Sequence, residues 1–105
     1  MTTLRVRREA ATELEEALSW YEASEPNVAR RLLRGYEDVV ARIQLSPQAG
    51  SLVTAEPEIR RWVIRDFPYS VVFLLRADEV LILALAHHKR RPGYWQPRLV
   101  RTPGR

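Results

Sequence analysis

Residues 59–86 carry the sequence IRRWVIRDFPYSVVFLLRADEVLILALA, which has the strongest strand pattern in the chain. Three strand-like runs follow one another here: residues 59–65 alternate in side-chain character, residues 69–76 are β-branched and aromatic, and residues 80–86 are apolar throughout. Asp-Phe-Pro and Ala-Asp-Glu separate the runs and are typical of turns. The segment therefore predicts an antiparallel meander whose last strand is covered on both faces or central in its sheet.

Upstream of the meander, the hydrophobic period predicts one short strand and two helices. Residues 3–7 alternate polar and apolar, as a half-buried strand does. Apolar residues then recur at helical spacing from Glu9 to about Ala23, and a second helical stripe begins at Pro26 and ends before Pro47. The prediction is an α/β (α+β) fold of order β-α-α-β-β-β, in which a helical hairpin packs on a small antiparallel sheet.

Glycine and proline mark the remaining segments. Residues 47–58 include two prolines and a glycine, and we predict an irregular loop there. Gly35 lies inside the second helix, where it costs about 1 kcal/mol relative to alanine, and we expect its missing side chain to let the two helices approach closely. We expect one domain over residues 1–100, with an extended segment after Arg91 and a disordered tail at residues 101–105.

The composition excludes several classes of protein. The 105 residues suffice for one small domain, and the absence of cysteine excludes a disulfide framework and a thiolate zinc site. The first residues turn charged at once and no long apolar run follows, so we expect no signal peptide, no membrane association and a cytoplasmic location. Adjacent His87 and His88 would point to opposite faces of a strand, so we expect no metal site, and no cofactor.

The positive charge of the chain is concentrated in its C-terminal half. Residues 1–58 carry 7 basic and 10 acidic side chains, a net charge of −3, whereas residues 59–105 carry 10 basic and 3 acidic ones, a net charge of +7. This asymmetry predicts an anionic partner, either nucleic acid or an acidic protein segment, although solubility alone would also account for it. The basic residues that follow the last acidic one are Lys89, Arg90, Arg91, Arg98, Arg101 and Arg105.

Three glutamates of the first helix and Trp95 near the C-terminus can be explained without a catalytic role. Glu13, Glu16 and Glu22 of the first helix have no identifiable partner, so we expect a solvated face rather than paired catalytic carboxylates. Trp95 lies in a segment rich in proline and glycine. It either pins that segment onto the sheet or stays available as an interface anchor.

The order of elements and three motifs within it resemble the RelE/ParE superfamily of bacterial type II toxins. The motifs are Ile-Arg-Arg at 59–61, Phe-Pro-Tyr at 67–69 and HHKRRPGYW at 87–95, followed by Arg98, and the likeness covers roughly residues 3–98. The resemblance implies a toxin encoded beside a cognate antitoxin that covers and neutralises it. It also implies one of two actions, because RelE-like relatives cut messenger RNA in the ribosomal A site and ParE-like relatives poison DNA gyrase with no known need for a catalytic residue.

RNA cleavage without a metal would need a base, an acid and cations that stabilise the developing charge. The candidates are Arg61 and Arg65 to bracket a phosphate, His87 to carry a proton, and Tyr94 to stack on a base or act as an acid. The ribonuclease relatives typically carry a lysine-rich or Glu-containing approach before the second strand, but residues 47–58 contain no basic residue. The resemblance therefore favours inhibition of DNA gyrase, with a ribosome-dependent mRNA endonuclease as the alternative, and leaves open whether the protein is an enzyme.

We expect the helical hairpin and the cationic C-terminal segment to be the contact surfaces of such a toxin. An acidic part of the antitoxin, extended or helical, is expected to cover the basic half. A third hypothesis is a nucleic-acid-binding accessory domain that touches phosphates without chemistry. The residues expected to bind the target or the antitoxin are Lys89, Arg90, Arg91, Tyr94, Trp95 and Arg98.

Overall fold

Five strands and two α-helices form the fold in the computed structural model, which describes residues 2–99. Their bounds are β1 Thr3–Val6, α1 Arg8–Glu22, α2 Pro26–Leu45, β2 Ser51–Thr54, β3 Ile59–Val63, β4 Tyr69–Arg76 and β5 Glu79–His87. Both helices pack on one face of a five-stranded sheet, which confirms the predicted α+β fold. Neither α1 nor α2 combines the length and the apolar character that a bilayer-crossing helix requires.

The segment that follows β5 contains less extended structure than predicted. Its last described residues, Gln96–Leu99, form a 3₁₀ turn. The predicted domain end at residue 100 and the predicted tail at residues 101–105 lie outside the described residues.

The sheet is mixed rather than antiparallel. Its strand order is β1-β5-β4-β3-β2, in which β3 to β5 form the predicted meander and β2 extends it at the far edge. β1 pairs with β5 in parallel, with Leu4 opposite Val80, so the prediction of an all-antiparallel sheet is wrong for β1. The helical hairpin carries the chain from β1 to the far edge of the sheet, and a long crossover of this kind permits parallel pairing when the meander returns.

Strand β2 lies in the segment that was predicted to be an irregular loop. A 3₁₀ turn at Pro47–Ala49 precedes it, and β2 pairs only with β3, with a shift in register between Leu52 and Thr54. Four residues are too few to show a hydrophobic period, and Leu52 is exposed. The strand exists because β3 offers it a free edge, which is a tertiary cause that the local sequence does not express.

The larger core cluster lies between the helices and the sheet. Pro26 occupies the first turn of α2, and the helix ends at Leu45 because the following Ser46 precedes a proline. The apolar stripes of both helices face inward, and Trp62 and Tyr69 pack against the cluster at its margin. The buried members are Ala10, Ala17, Leu32, Val39, Ile43, Ile64, Val71, Phe73, Val80, Ile82 and Leu85.

A second, smaller cluster lies on the opposite face of the sheet. Val72 pairs with Ala84 whereas Phe73 pairs with Ile82, so Leu83 is an extra residue in β5. This bulge places Leu83 and Ala84 on the same face. The C-terminal segment covers that face, since Trp95 is only 5% exposed and belongs to the cluster. Trp95 therefore pins the segment onto the sheet.

Gly35 allows a close approach between α2 and the sheet. A Cβ atom at this position would lie 2.8 Å from Cγ2 of Ile64, a fully buried side chain that follows β3. The expectation that Gly35 brings the two helices together is therefore wrong about the partner. The missing side chain makes room for Ile64, just after β3, not for α1.

Candidate functional site

The C-terminal half of β5 has an open edge, because β1 ends at Val6 and reaches only the first half of β5. Two side chains bond to this edge. The backbone N–H of Leu85 donates a hydrogen bond of 3.0 Å to Glu13 Oε1, and Arg98 donates one of 2.9 Å to the carbonyl oxygen of Leu83. Glu13 and Arg98 thus satisfy backbone groups that a longer neighbouring strand would have bonded.

Glu13 is the centre of a largely buried polar cluster. Arg98 donates two hydrogen bonds of 2.9 Å to it, one to each carboxylate oxygen, and the Tyr94 hydroxyl donates one of 2.7 Å to Oε2. The side chains of Arg98 and Glu13 are only 15% and 12% exposed. The expectation of a solvated, unpartnered Glu13 is therefore wrong. Its spacing from Ala10 and Ala17, both buried, is the sequence signal that places Glu13 on the inward face of α1.

The surroundings of Tyr94 keep its hydroxyl protonated. Burial raises the pKa of Tyr94 above its usual value, and the hydrogen bond to Glu13 raises it further. The hydrogen bonding of Arg98 to Glu13 likewise raises the pKa of Arg98, so this guanidinium stays charged. The cluster is therefore an ion pair with a neutral phenol attached, and the Tyr94 proton is already committed to an acceptor.

Three exposed basic residues follow β5, Lys89, Arg90 and Arg91, and we call them the cationic turn. Within residues 2–99 none of the three forms an ion pair. The guanidinium carbon of Arg90 lies 3.8 Å from the centroid of the Tyr94 ring, a cation–π contact. Because Glu13 holds Tyr94, the buried cluster also fixes the platform on which Arg90 rests.

The six residues that the sequence predicts for target or antitoxin binding fall into two groups. The side chains of the cationic turn point to solvent, as a binding surface requires. Trp95 is in the second core cluster, and Arg98 is paired with Glu13. Tyr94 is half-buried between the two groups. Trp95 and Arg98 therefore hold the segment in place, whereas the cationic turn presents the free charge.

The two adjacent histidines lie on opposite faces of the sheet. His87 makes an edge contact with Tyr69 on the helix side, with the ring centroids 5.0 Å apart. Its Nδ1 accepts a hydrogen bond of 3.0 Å from the backbone N–H of Lys89. His88 lies 2.9 Å from Ser70 Oγ on the other side of the strand. The prediction assumed a strand through both histidines, but β5 ends at His87 and His88 lies in the following turn.

The four candidate residues for RNA cleavage are not brought together. Arg61 lies opposite Val72 in β4, so it projects from the face of the second core cluster. His87 lies on the helix face, and Tyr94 is bound to Glu13. Arg65 is exposed just beyond the end of β3. Arg61 and His87 thus lie on opposite faces of the sheet, whereas acid–base cleavage would require the groups to converge on one phosphate.

Comparison with models of protein families matches residues 4–92 to the ParE toxin of type II toxin-antitoxin system, parDE. The chain belongs to the ParE toxin family. This confirms the predicted RelE/ParE-like toxin component of a toxin-antitoxin system, and such a system implies an antitoxin as a partner.

A solved structure supports the same fold for this ParE-family toxin. It is described as the chromosomal ParDE TA system from P. aeruginosa, and the two chains superpose with a TM-score of 0.70. The match covers 83% of this chain and 96% of the other, at 22% sequence identity. No curated protein sequence matches the chain.

A small depression in this ParE-family toxin adjoins the cationic turn. It has a volume of about 180 Å³ and lies between α1 and the end of β5. Trp20 forms part of its wall, although 75% of this side chain is exposed. Sequence analysis assigned Trp20 no role. The available signal was that Trp20 falls outside the apolar stripe of α1, in which Ala17, Leu18 and Tyr21 face inward. The other residues that line the depression are Glu13, Glu16, Ala17, Tyr69, Leu85, His87 and Arg90.

Proposed function

We propose that this ParE-family toxin acts in the cytoplasm by binding and inhibiting DNA gyrase, and that it does not cleave RNA. The observation that carries the proposal is the separation of the candidate catalytic residues. Arg61 and His87 project from opposite faces of the sheet, so no single phosphate can contact both. A protein that works by occupying its target needs a complementary surface but no such constellation.

The chemistry of the individual side chains also supports inhibition rather than cleavage. The ring of His87 accepts a hydrogen bond at Nδ1, so only Nε2 remains for proton transfer. The Tyr94 hydroxyl donates a hydrogen bond to Glu13, and burial raises the pKa of Tyr94, so it is a weak and poorly placed acid. Arg61 and Arg65 are exposed and could donate hydrogen bonds to a phosphate, but an arginine side chain offers no acceptor for a proton.

The cationic turn is the surface that we propose for target contact. Its three side chains are exposed, and within residues 2–99 they have no acidic partner. The cluster of Glu13, Tyr94 and Arg98 holds the ring on which Arg90 rests, so Arg90 loses less freedom when a partner binds. The cognate antitoxin would neutralise the toxin by covering the same charge. Tyr94, Trp95 and Arg98 contribute by positioning the segment.

A supercoiling assay with purified gyrase tests the proposal. We expect the toxin to inhibit supercoiling, an excess of the cognate antitoxin to restore it, and induced cells to show DNA damage with intact messages. Arg90→Glu should weaken inhibition about tenfold, since it reverses a charge at the contact surface. Arg76→Glu is a matched control, because Arg76 is an exposed arginine at the opposite end of β4 from Tyr69, the residue that pairs with His87. Unaffected supercoiling, together with codon-positioned mRNA cuts in induced cells, would instead establish the endonuclease.

A further inference from the structure

Trp20 is the one aromatic side chain that this chain exposes. The nine aromatic residues all lie within residues 2–99, and the other eight are buried or half-buried. Trp20 is 75% exposed on the outer surface of α1. Isolated apolar residues are common on protein surfaces, so its exposure alone indicates nothing. Its surroundings provide the further evidence.

Trp20 stands between two depressions of the surface. The first is the one beside the cationic turn, with Leu85 and Tyr69 in its lining. The second is wider and more open, and it runs along α1 on the other side of the indole, past Thr12 and Ser19 to Ala23. Trp20 and Glu16 line both of them. A partner could therefore contact the indole from both depressions.

The charges around Trp20 are mixed. Arg90 lines the first depression, and the rest of the cationic turn is adjacent to it in the chain. Glu15 lines the second depression, and Glu16 lines both. A nucleic acid would bring phosphates against these glutamates, which is unfavourable. A polypeptide segment can place carboxylates at Arg90 and neutral or basic side chains at Glu15, so charge complementarity favours a protein partner.

We propose that Trp20 is an anchor for the cognate antitoxin, which packs an apolar side chain of an acidic segment against the indole and pairs its carboxylates with Arg90 and the cationic turn. The inference rests on the toxin–antitoxin assignment above and adds the place and polarity of the contact. A buried aromatic anchor beside a charge pair is the arrangement that concentrates binding energy in protein interfaces. The acidic segment thereby runs from the end of β5 across α1.

Titration calorimetry of the full-length toxin with the protein encoded by the adjacent antitoxin gene tests this inference. Trp20→Ala should weaken binding about tenfold or more, as truncation of a central aromatic anchor does. Leu45→Ala is the matched control, because Leu45 is 81% exposed at the C-terminal end of α2. It should change the affinity less than about twofold. Arg90→Glu should weaken binding as well, and the loss should shrink as salt is added.

The outcomes separate this inference from the proposed function. Binding of Trp20→Ala within about twofold of the parent, or an equal loss in Leu45→Ala, would overturn it. The inference would also be overturned if Trp20→Ala lost more affinity for a single-stranded oligonucleotide than for the antitoxin. Thermal melts of each variant check that the fold is intact, and the exposed position of both residues makes this the expected result. Failure of the parent toxin to inhibit gyrase would refute the proposed function while leaving the antitoxin titration interpretable.

Discussion

Glu13 and Arg98 form a bidentate ion pair across 85 positions of the chain, in which Nη1 and Nη2 of Arg98 each lie 2.9 Å from one carboxylate oxygen of Glu13. The pair joins α1 to the last described turn and closes the edge of β5 where β1 has ended. Trp95 anchors the same segment by apolar packing on the sheet, as the ion pair does by polar contacts. Together they hold the chain that carries the cationic turn.

Arg98→Ala should destabilise the fold by about 3 kcal/mol, because it leaves a largely buried carboxylate without its countercharge. For a domain of this size, that corresponds to a fall in melting temperature of roughly 10–20 °C. Arg42→Ala is the control, since Arg42 pairs with Asp38 at 3.3 Å and the two side chains are 62% and 66% exposed. It should cost less than about 0.5 kcal/mol in urea unfolding. Equal losses in the two variants would show that the Glu13 pair contributes nothing special.

Tyr94 should make the fold sensitive to alkaline pH. Burial and the Glu13 hydrogen bond raise the pKa of Tyr94 above its unfolded value, so its contribution to stability is complete below about pH 10. Above that pH the unfolded phenol loses its proton first, and stability falls as the pH rises. Tyr94→Phe should lower stability at neutral pH by about 1 kcal/mol and flatten the decline above pH 10.

Denaturant unfolding at pH 8, 10 and 11 measures this difference in slope. Some decline should remain in Tyr94→Phe, because burial also raises the pKa of Tyr36 and Tyr69. An identical alkaline slope in the parent and in Tyr94→Phe would contradict the assignment of the effect to Tyr94.

Gly35→Ala should destabilise the protein even though alanine is the better helix former. The propensity gain is about 1 kcal/mol, but the new Cβ would lie 2.8 Å from Cγ2 of the fully buried Ile64. Overpacking of this kind costs about 1–3 kcal/mol, so we expect a net loss. In a double-mutant cycle, Ile64→Ala should cost less in the Gly35→Ala background than alone. Strict additivity of the two changes would show that the two positions do not interact.

The proposed gyrase mechanism predicts that mutations at His87 and in the cationic turn have different effects on growth arrest. His87→Ala and Arg61→Ala should each retain growth arrest on induction, because neither side chain takes part in a catalytic step. Arg90→Glu should reduce arrest and raise the concentration for half-maximal gyrase inhibition about tenfold. Melting temperatures of all three variants provide the control for folding. Loss of arrest in a fully folded His87→Ala variant would contradict the mechanism and point to acid–base chemistry.

The elements of the fold were predictable where the signal is local. β4 and β5 are long and apolar, and the hydrophobic periods of α1 and α2 persist over several turns, so each element can be recognised from its own residues. β2 was not predictable, because four residues carry no period and their strand conformation depends on pairing with β3. The parallel pairing of β1 was likewise hidden, since it depends on where the helical hairpin delivers the chain.

The candidate site was predictable in its exposed part only. The run of basic residues after β5 is visible in the sequence, and the cationic turn is exposed in the structure. The partnership of Glu13 was missed, because the residues that bond to it follow 72 to 85 positions later in the chain. Trp20 was overlooked for a related reason. An exposed aromatic residue acquires meaning only from the neighbours that surround it in space.

The types of the main elements, the family resemblance and the surplus of positive charge after β5 can be read from the amino-acid order, because hydrophobic period and charge are properties of neighbouring residues. Which charges are paired inside the protein and which are exposed depends on the folded arrangement. Arg98 and Arg90 are eight residues apart in one basic segment, yet Arg98 is paired with a carboxylate of α1 while Arg90 is exposed. The desolvation of a charge depends on the atoms packed around it, and the fold brings those atoms from distant parts of the chain.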